Sequence, residues 1–349
     1  MIDTSRRQFL AATGAAATAG VLAPASRLFA QAAAPHRIDV HHHFTPPGYY
    51  EDLQPNRDKR ALSPTPPMVR QWSPTRSIEE MDKNGIATAM MSIATGGIWF
   101  GDMPATIKLA RRSNEFGATM VRDYKTRFGL FAVLPLPDID GSLKEIEYAL
   151  DTLKADGFGL LTSYDTTWAG DPKFAPVFQE LNRRKAVVYF HPAAPECCQN
   201  LIPYISQATV EYPHDTTRAI LSFLFDGGFR KYPDIKFIWS HAGGTMPILA
   251  GRISNSARNQ KRLAEKIPDG AVAEFRKLYY DTANSGTAPT MAALMALVPT
   301  SQILFGTDYP WVPTANTVRD LAANSFPAEV MRAIDRDNAL TILPRLRAG

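Results

Sequence analysis

A chain of 349 residues with 45% apolar and 21% charged residues can build one large core, and it lacks the bias of a disordered, fibrous or membrane-embedded sequence. Its formal charge of +4 falls to about +2 once Asp3, Arg6, Arg7 and Arg27 near the N-terminus are set aside, so no basic field remains to recruit nucleic acid. Cys197 and Cys198 are adjacent, which excludes a disulfide framework and lacks the spacing of a thiolate zinc site. The pair reads as two packed thiols, with a vicinal disulfide as the alternative.

In chain order, Ser5-Arg6-Arg7-Gln8-Phe9-Leu10 precedes a mildly apolar, Ala-rich run from Ala11 to Ala23, and Ala30-Gln31-Ala32 supplies a small-residue cleavage pattern. Residues 1–32 therefore read as a twin-arginine-type signal peptide, with the periplasm as the expected location. The Ala-rich run is too weakly apolar to span a membrane, so no anchor is expected after processing. The remaining chain, 33–349, has the size of one barrel domain.

It alternates short apolar runs with longer helical patterns, as βα units around a parallel sheet do. Eight runs stand out: Arg37 to His43, Ile86 to Ile93, Phe128 to Pro135, Phe158 to Thr162, Ala186 to His191, Lys236 to His241, Leu278 to Thr282 and Gln302 to Asp308. Eight parallel strands close a (β/α)8 TIM barrel, an α/β fold. Apolar residues recur at three and four over Pro104 to Lys125, Gly141 to Lys154, Phe174 to Arg184 and Asp215 to Arg230, which predicts helices of the outer ring. The Pro-rich stretch Thr45 to Arg76 reads as a long loop after strand one, and Glu196 to Pro213 as a second long loop.

Four of the seven histidines end predicted strands, on the rim where such barrels carry their chemistry. In His41-His42-His43, strand alternation sends His41 and His43 to one face and His42 to the other, so the outer two can share an ion. His191 ends strand five and Asp308 ends strand eight. Three imidazoles and a carboxylate suit one divalent metal ion, with zinc expected and manganese compatible. His241, at the end of strand six, is assigned to proton handling beside the metal, together with Asp308. Strand four, Phe158 to Tyr164, offers no Lys or Glu to bridge two ions, so a mononuclear centre is expected. His36 and His214 have no comparable placement.

Several segments together resemble the amidohydrolase superfamily and, within it, the aminocarboxymuconate-semialdehyde decarboxylase-like branch. These are Ile38-Asp39-Val40-His41-His42-His43, Glu79 to Ile86, Arg127 to Pro135, His191-Pro192, His241-Ala242-Gly243-Gly244 with Pro247 and Arg252, and Gly306-Thr307-Asp308-Tyr309-Pro310. The resemblance covers nearly all of residues 33–349. It implies the same ligand set, His41, His43, His191 and Asp308, with His241 as the catalytic histidine. It further implies an arginine in the first loop that holds a substrate carboxylate, for which Arg70 is chosen ahead of Arg76, and a homodimer.

Four tryptophans, Trp72, Trp99, Trp168 and Trp311, fall in predicted rim loops, near Phe44, Phe100, Tyr164 and Tyr309. Aromatic walls with few polar groups suit a flat aromatic acid, and Trp72, Trp99 and Trp311 are taken with Arg70 as substrate-binding residues. The expected reaction is non-oxidative decarboxylation of a small salicylate-type acid, by a lyase of the 6-methylsalicylate decarboxylase type. A metal-dependent hydrolase of the same superfamily, such as a lactonase, is the alternative, and a binding protein that has lost catalysis is a third reading.

Overall fold

The computed structural model describes residues 36–52, 65–93, 97–199 and 201–348. The twin-arginine-type segment, residues 1–32, lies outside the described residues. Eight parallel strands run in chain order around one sheet: β1 Arg37–Phe44, β2 Ile86–Ile93, β3 Phe128–Val133, β4 Gly157–Leu161, β5 Val187–His191, β6 Lys236–Trp239, β7 Tyr279–Asp281 and β8 Ile303–Leu304. The seam between the last and first strands is closed beyond β8. Val40 N donates to Phe305 O (3.0 Å), Asp308 N to His41 O (2.8 Å) and His43 N to Tyr309 O (2.7 Å).

One longer helix follows each strand: α1 Pro74–Lys83, α2 Met103–Asp123, α3 Ile139–Glu147, α4 Ala175–Arg183, α5 Gln207–Asp226, α6 Met246–Asn259, α7 Ala288–Leu297 and α8 Thr314–Ala322. Their starts are set by local chemistry. Ser73 caps α1 through Arg76 N, Asp102 caps α2 through Ala105 N, and Ser206 caps α5 through Ala208 N. Helix α5 begins eight residues before the predicted start and runs through Pro213, which the sequence placed in a loop. Pro213 sits within the first two turns, and its carbonyl accepts from Thr217 Oγ1 (2.9 Å) and Thr245 N (3.3 Å).

Strand alternation builds two apolar layers. Outside the sheet, Phe190 stacks on Trp239 at 4.3 Å and both meet Phe223 of α5. Inside, Ile38, Val40, Met90, Phe131, Tyr189 and Leu304 fill the lumen, and Ile342, Leu343 and Leu346 of the C-terminal segment join this cluster. Each fully buried ring of this kind contributes about 2–3 kcal/mol. The packed lumen confines the polar groups of the barrel's interior to the strand ends above it.

A register shift between Asp39 and His42 in the β1–β2 pairing breaks strict alternation. Val40 therefore joins the lower apolar layer while His41 stands in the layer directly above, its ring 5.3 Å from that of Tyr189. Asp39 ties β1 to the end of the chain by accepting from Thr307 N (3.0 Å) and Thr307 Oγ1 (2.6 Å). Cys197 and Cys198 are joined in a vicinal disulfide on the turn Glu196–Cys198, where the sequence favoured two packed thiols.

Candidate metal centre

His41 and His43 reach the rim from β1, His191 from the last residue of β5, and Asp308 from the segment after β8. One ligand atom from each lies within 4.8 Å of all the others, and all four residues are buried. His41 Nε2 is 3.1 Å from His43 Nε2 and 3.3 Å from Asp308 Oδ1, and His43 Nε2 is 3.2 Å from that same oxygen. Zinc with ligands at about 2.0–2.1 Å has tetrahedral edges of about 3.3–3.4 Å, close to these separations.

The opposite nitrogen of each imidazole is engaged outside the cluster. His41 Nδ1 donates to Asp281 Oδ2 (2.8 Å), His43 Nδ1 meets Ser92 Oγ (3.1 Å), and His191 Nδ1 donates to Pro192 O (3.0 Å). Those contacts favour the tautomer that turns each Nε2 lone pair inward. His191 Nε2 and Asp308 Oδ1 are buried with no hydrogen-bond partner, which is costly unless a cation takes their lone pairs.

The electrostatics agree with that need. Burial works against a charge on His41, but Asp281 and Asp308 outweigh it and push its pKa up to about 10. Burial lowers His43, and burial together with the neighbouring imidazoles lowers His191 well below the usual range. Burial also opposes the charge of Asp308, but His41, His43 and His241 hold it ionised, well below the usual carboxylate range. The site thus collects one carboxylate and three inward nitrogens, and the proton held on His41 marks where a cation's charge belongs. A divalent ion fits, with His41, His43, His191 and Asp308 as its ligands.

His42 faces away, as strand alternation requires. Its ring stacks on Tyr309, Nδ1 meets Asp39 Oδ2 (3.1 Å) and Nε2 meets Ser77 Oγ. His36 contacts Asp335 and His214 contacts Thr245, both apart from the centre. At the end of β4, Thr162 Oγ1 is held by Asp215, so no bridging side chain enters there. A second cluster among the described residues, His41, His241 and Asp281, shares its imidazole with the first and is a hydrogen-bonded support.

His241 stands at the half-buried rim, its ring 4.8 Å from His41 and 5.7 Å from His191. It opens a run of left-handed residues from His241 to Gly244, and its Nδ1 donates to Ala283 O (2.9 Å). Nε2 is left for chemistry. Asn284 and Asp308 also have left-handed backbones, at φ 52 and 65, a concentration of strain typical of functional sites.

Two contributors escaped the sequence reading. Asp281, at the end of β7, accepts from His41 Nδ1 through one oxygen and from His241 N (2.9 Å) and Ala283 N (3.0 Å) through the other. Asn284 Nδ2 donates to Asp308 Oδ2 (2.9 Å). Their only signal is a polar run, Asp281 to Asn284, at a strand end.

The expected substrate-binding residues are divided by the structure. Arg70 is exposed on the short helix Pro67–Arg70 and no described residue pairs with it, whereas Arg76 is tied to Gln71 Oε1 (2.7 Å). Trp99 is half-buried and donates to the Asp165 carboxylate (2.9 Å), joining the rim loops after β2 and β4. Trp311 is half-buried in the turn after the metal carboxylate, its backbone N donating to Asp308 O (2.9 Å). Trp72 is instead a packing residue, wedged beside Phe44 and Phe116 in the layer between barrel and helices, where its apolar ring gains most.

Known proteins share this arrangement of chain and fold. The chain is 36% identical to the decarboxylase yanB of Aspergillus niger over 89% of this chain and 88% of that protein. It is 35% identical to the 6-methylsalicylic acid decarboxylase of Penicillium expansum, over 89% of this chain and 97% of that protein. A dihydroxybenzoic acid decarboxylase from Polaromonas sp., solved with bound manganese and the inhibitor 2-nitroresorcinol, superposes with a TM-score of 0.74 at 21% identity, covering 88% of this chain and 97% of its own. The amidohydrolase family profile matches residues 38–345, and the chain belongs to that family.

Proposed function

We propose that the protein is a metal-dependent carboxy-lyase that removes carbon dioxide, without oxidation, from a small salicylate-type aromatic acid. The reading is carried by relatives named as decarboxylases that match this chain over nine-tenths of its length. The rim geometry fits it. When bound, a divalent ion supplies Lewis acidity and a template for a carboxylate and its neighbouring phenolic oxygen.

The chain's residues do the rest. Arg70 offers a free guanidinium for carboxylate, and Trp99 and Trp311 flank the ring. His241 Nε2 delivers a proton to the ring carbon that bears the carboxylate. The bond from that carbon to the carboxylate then breaks, its electron pair restores the aromatic ring, and carbon dioxide leaves. Asp308, held ionised by the imidazoles around it, contributes its negative charge beside the proton path. Three imidazoles with one carboxylate favour zinc, and manganese, the ion in the Polaromonas neighbour, suits the same donors less well.

Metal-loaded protein incubated with salicylate-type acids and, separately, with aryl lactones or amides tests the reading, with metal analysis of the same sample. Carbon dioxide and the matching phenol are the expected products. Ester or amide cleavage without decarboxylation of any acid would replace the lyase by a hydrolase.

Two further assignments belong here. Leu201, Ile202 and Ile205 are exposed by about half, and Tyr204 fully, which supports a homodimer that covers this patch; sedimentation tests it. The Arg6-Arg7 pair and the cleavage pattern at Ala30 to Ala32 support export to the periplasm. Cell fractionation of the Arg6→Lys, Arg7→Lys variant checks that. No described helix is long and apolar enough to cross a membrane.

A further inference from the structure

A narrow cavity opens beside the metal centre between β2 and β5. Ser92 and His191 stand at its edge, Ile98, Val133, Gly159 and Leu161 form its walls, and Tyr189 lies beneath. Two of these walls break the pattern of the barrel. Gly159 and Leu161 alternate with Phe158 and Leu160, which pack outward, so both face the lumen; yet both are part-exposed where Val40, Met90, Phe131 and Tyr189 are buried. The lumen is open here because β4 presents a hydrogen atom at Gly159 where its register partners present Val133 and Tyr189.

From this geometry we infer that the cavity is a specificity niche for an alkyl substituent on the aromatic acid, and that Gly159 and Leu161 set its size. The inference rests on the proposed decarboxylase reading. Ser92 holds His43, and His191 is itself a ligand, so the niche lies next to the atoms that take the carboxylate. A group entering it hangs from the ring carbon that adjoins the carboxylate-bearing carbon on the side away from the phenolic oxygen. The walls select what enters. Ser92 Oγ is committed to His43 and Tyr49 occupies Gly97 O (2.7 Å), so a hydroxyl gives up water for few partners, whereas a methyl group gains contact on several sides.

The niche can be narrowed at Gly159 with a shift of a few tenths of an ångström at Ser92, and widened at Leu161. A Cβ on Gly159 would lie 3.3 Å from Ser92 Cβ and 3.6 Å from Phe131 Cβ, and Gly159 is not left-handed. Gly159→Ala therefore puts one methyl group into the space, and Leu161→Ala removes three carbons from its wall.

The test uses full-length metal-loaded protein and four 2-hydroxybenzoates that differ only at ring position 6: hydrogen, hydroxyl, methyl and ethyl. Both kcat/KM and Kd are measured for each, and ratios between acids on one variant cancel any loss of folded enzyme. The wild type should favour methyl over hydrogen and over hydroxyl by about tenfold or more, the usual worth of one methyl group in an apolar pocket. Gly159→Ala should cut the methyl-to-hydrogen ratio about tenfold, and Leu161→Ala should raise the ethyl-to-methyl ratio. Turnover of the acids with unchanged ratios, or a preference for hydroxyl, overturns the niche while leaving decarboxylation in place. No turnover with the same shifts in Kd ratios supports the niche and overturns the decarboxylase reading.

Discussion

Metal uptake by the centre should release one proton, and the count is a sharp test of its electrostatics. In the metal-free site Asp281 and Asp308 outweigh burial and raise His41 to about 10, while burial keeps His43 and His191 below the ordinary histidine value. Between the ordinary histidine value near 6.5 and pH 10, an incoming ion must displace the proton on His41 and none from the other two imidazoles, both of which are lowered. Affinity should therefore rise about tenfold per pH unit, about 1.4 kcal/mol, between about pH 6.5 and 7.5. The metal-free protein behaves in the opposite sense. The folded-state value of His41 is raised above its unfolded value near 6.5, so its contribution to stability is complete below pH 6.5 and is lost as pH rises through about 10. Calorimetric titration in two buffers of different ionisation enthalpy gives the proton number directly. A pH-independent affinity would refute the charge state of His41, and a release of two or three protons would refute the neutrality of His43 and His191.

Other outcomes follow from single contacts. Asp281→Ala removes the acceptor for His41 Nδ1 and should weaken metal binding about 10–100-fold, read by chelator competition at pH 9, where the proton on His41 competes least. His241→Asn should leave one ion per chain and lower kcat about 100–10,000-fold, because His241 stands outside the ligand set; loss of the ion would make it a ligand. Gly244→Ala should cost at least about 2 kcal/mol in urea unfolding, since the position is left-handed (φ 67) and its Cβ would run into Pro213 O of α5. A cost under half of that would mean the His241–Gly244 turn can move aside.

The eight strands and the four ligands were legible because they rest on local patterns. Apolar runs mark strands wherever they lie, and the spacing of His41 and His43 needs only the two-residue period of a strand. What stayed hidden depends on contacts far along the chain. Asp281 looks like any polar residue ending a strand until β7 is seen beside β1, and Asn284 has no pattern of its own. Pro213 argues locally for a loop, and tertiary packing of α5 overrides it. Trp72 shares the composition of its loop with Trp99, but Phe44 and Phe116 draw it into the core. The phase change in β1 is equally invisible, since nothing in the run Asp39 to His43 marks the extra residue opposite β2.

The seam between β8 and β1 also dictates an order of assembly. Two imidazoles come from the first strand and the carboxylate from the segment after the last, and the backbone bonds between Asp308, Tyr309 and β1 hold that carboxylate in place. A chain still emerging from the ribosome presents His41, His43 and His191 long before it owns the fourth ligand or the closed ring. Tight capture of the ion is therefore among the last events of maturation, and a bound metal reports that the whole barrel has been made.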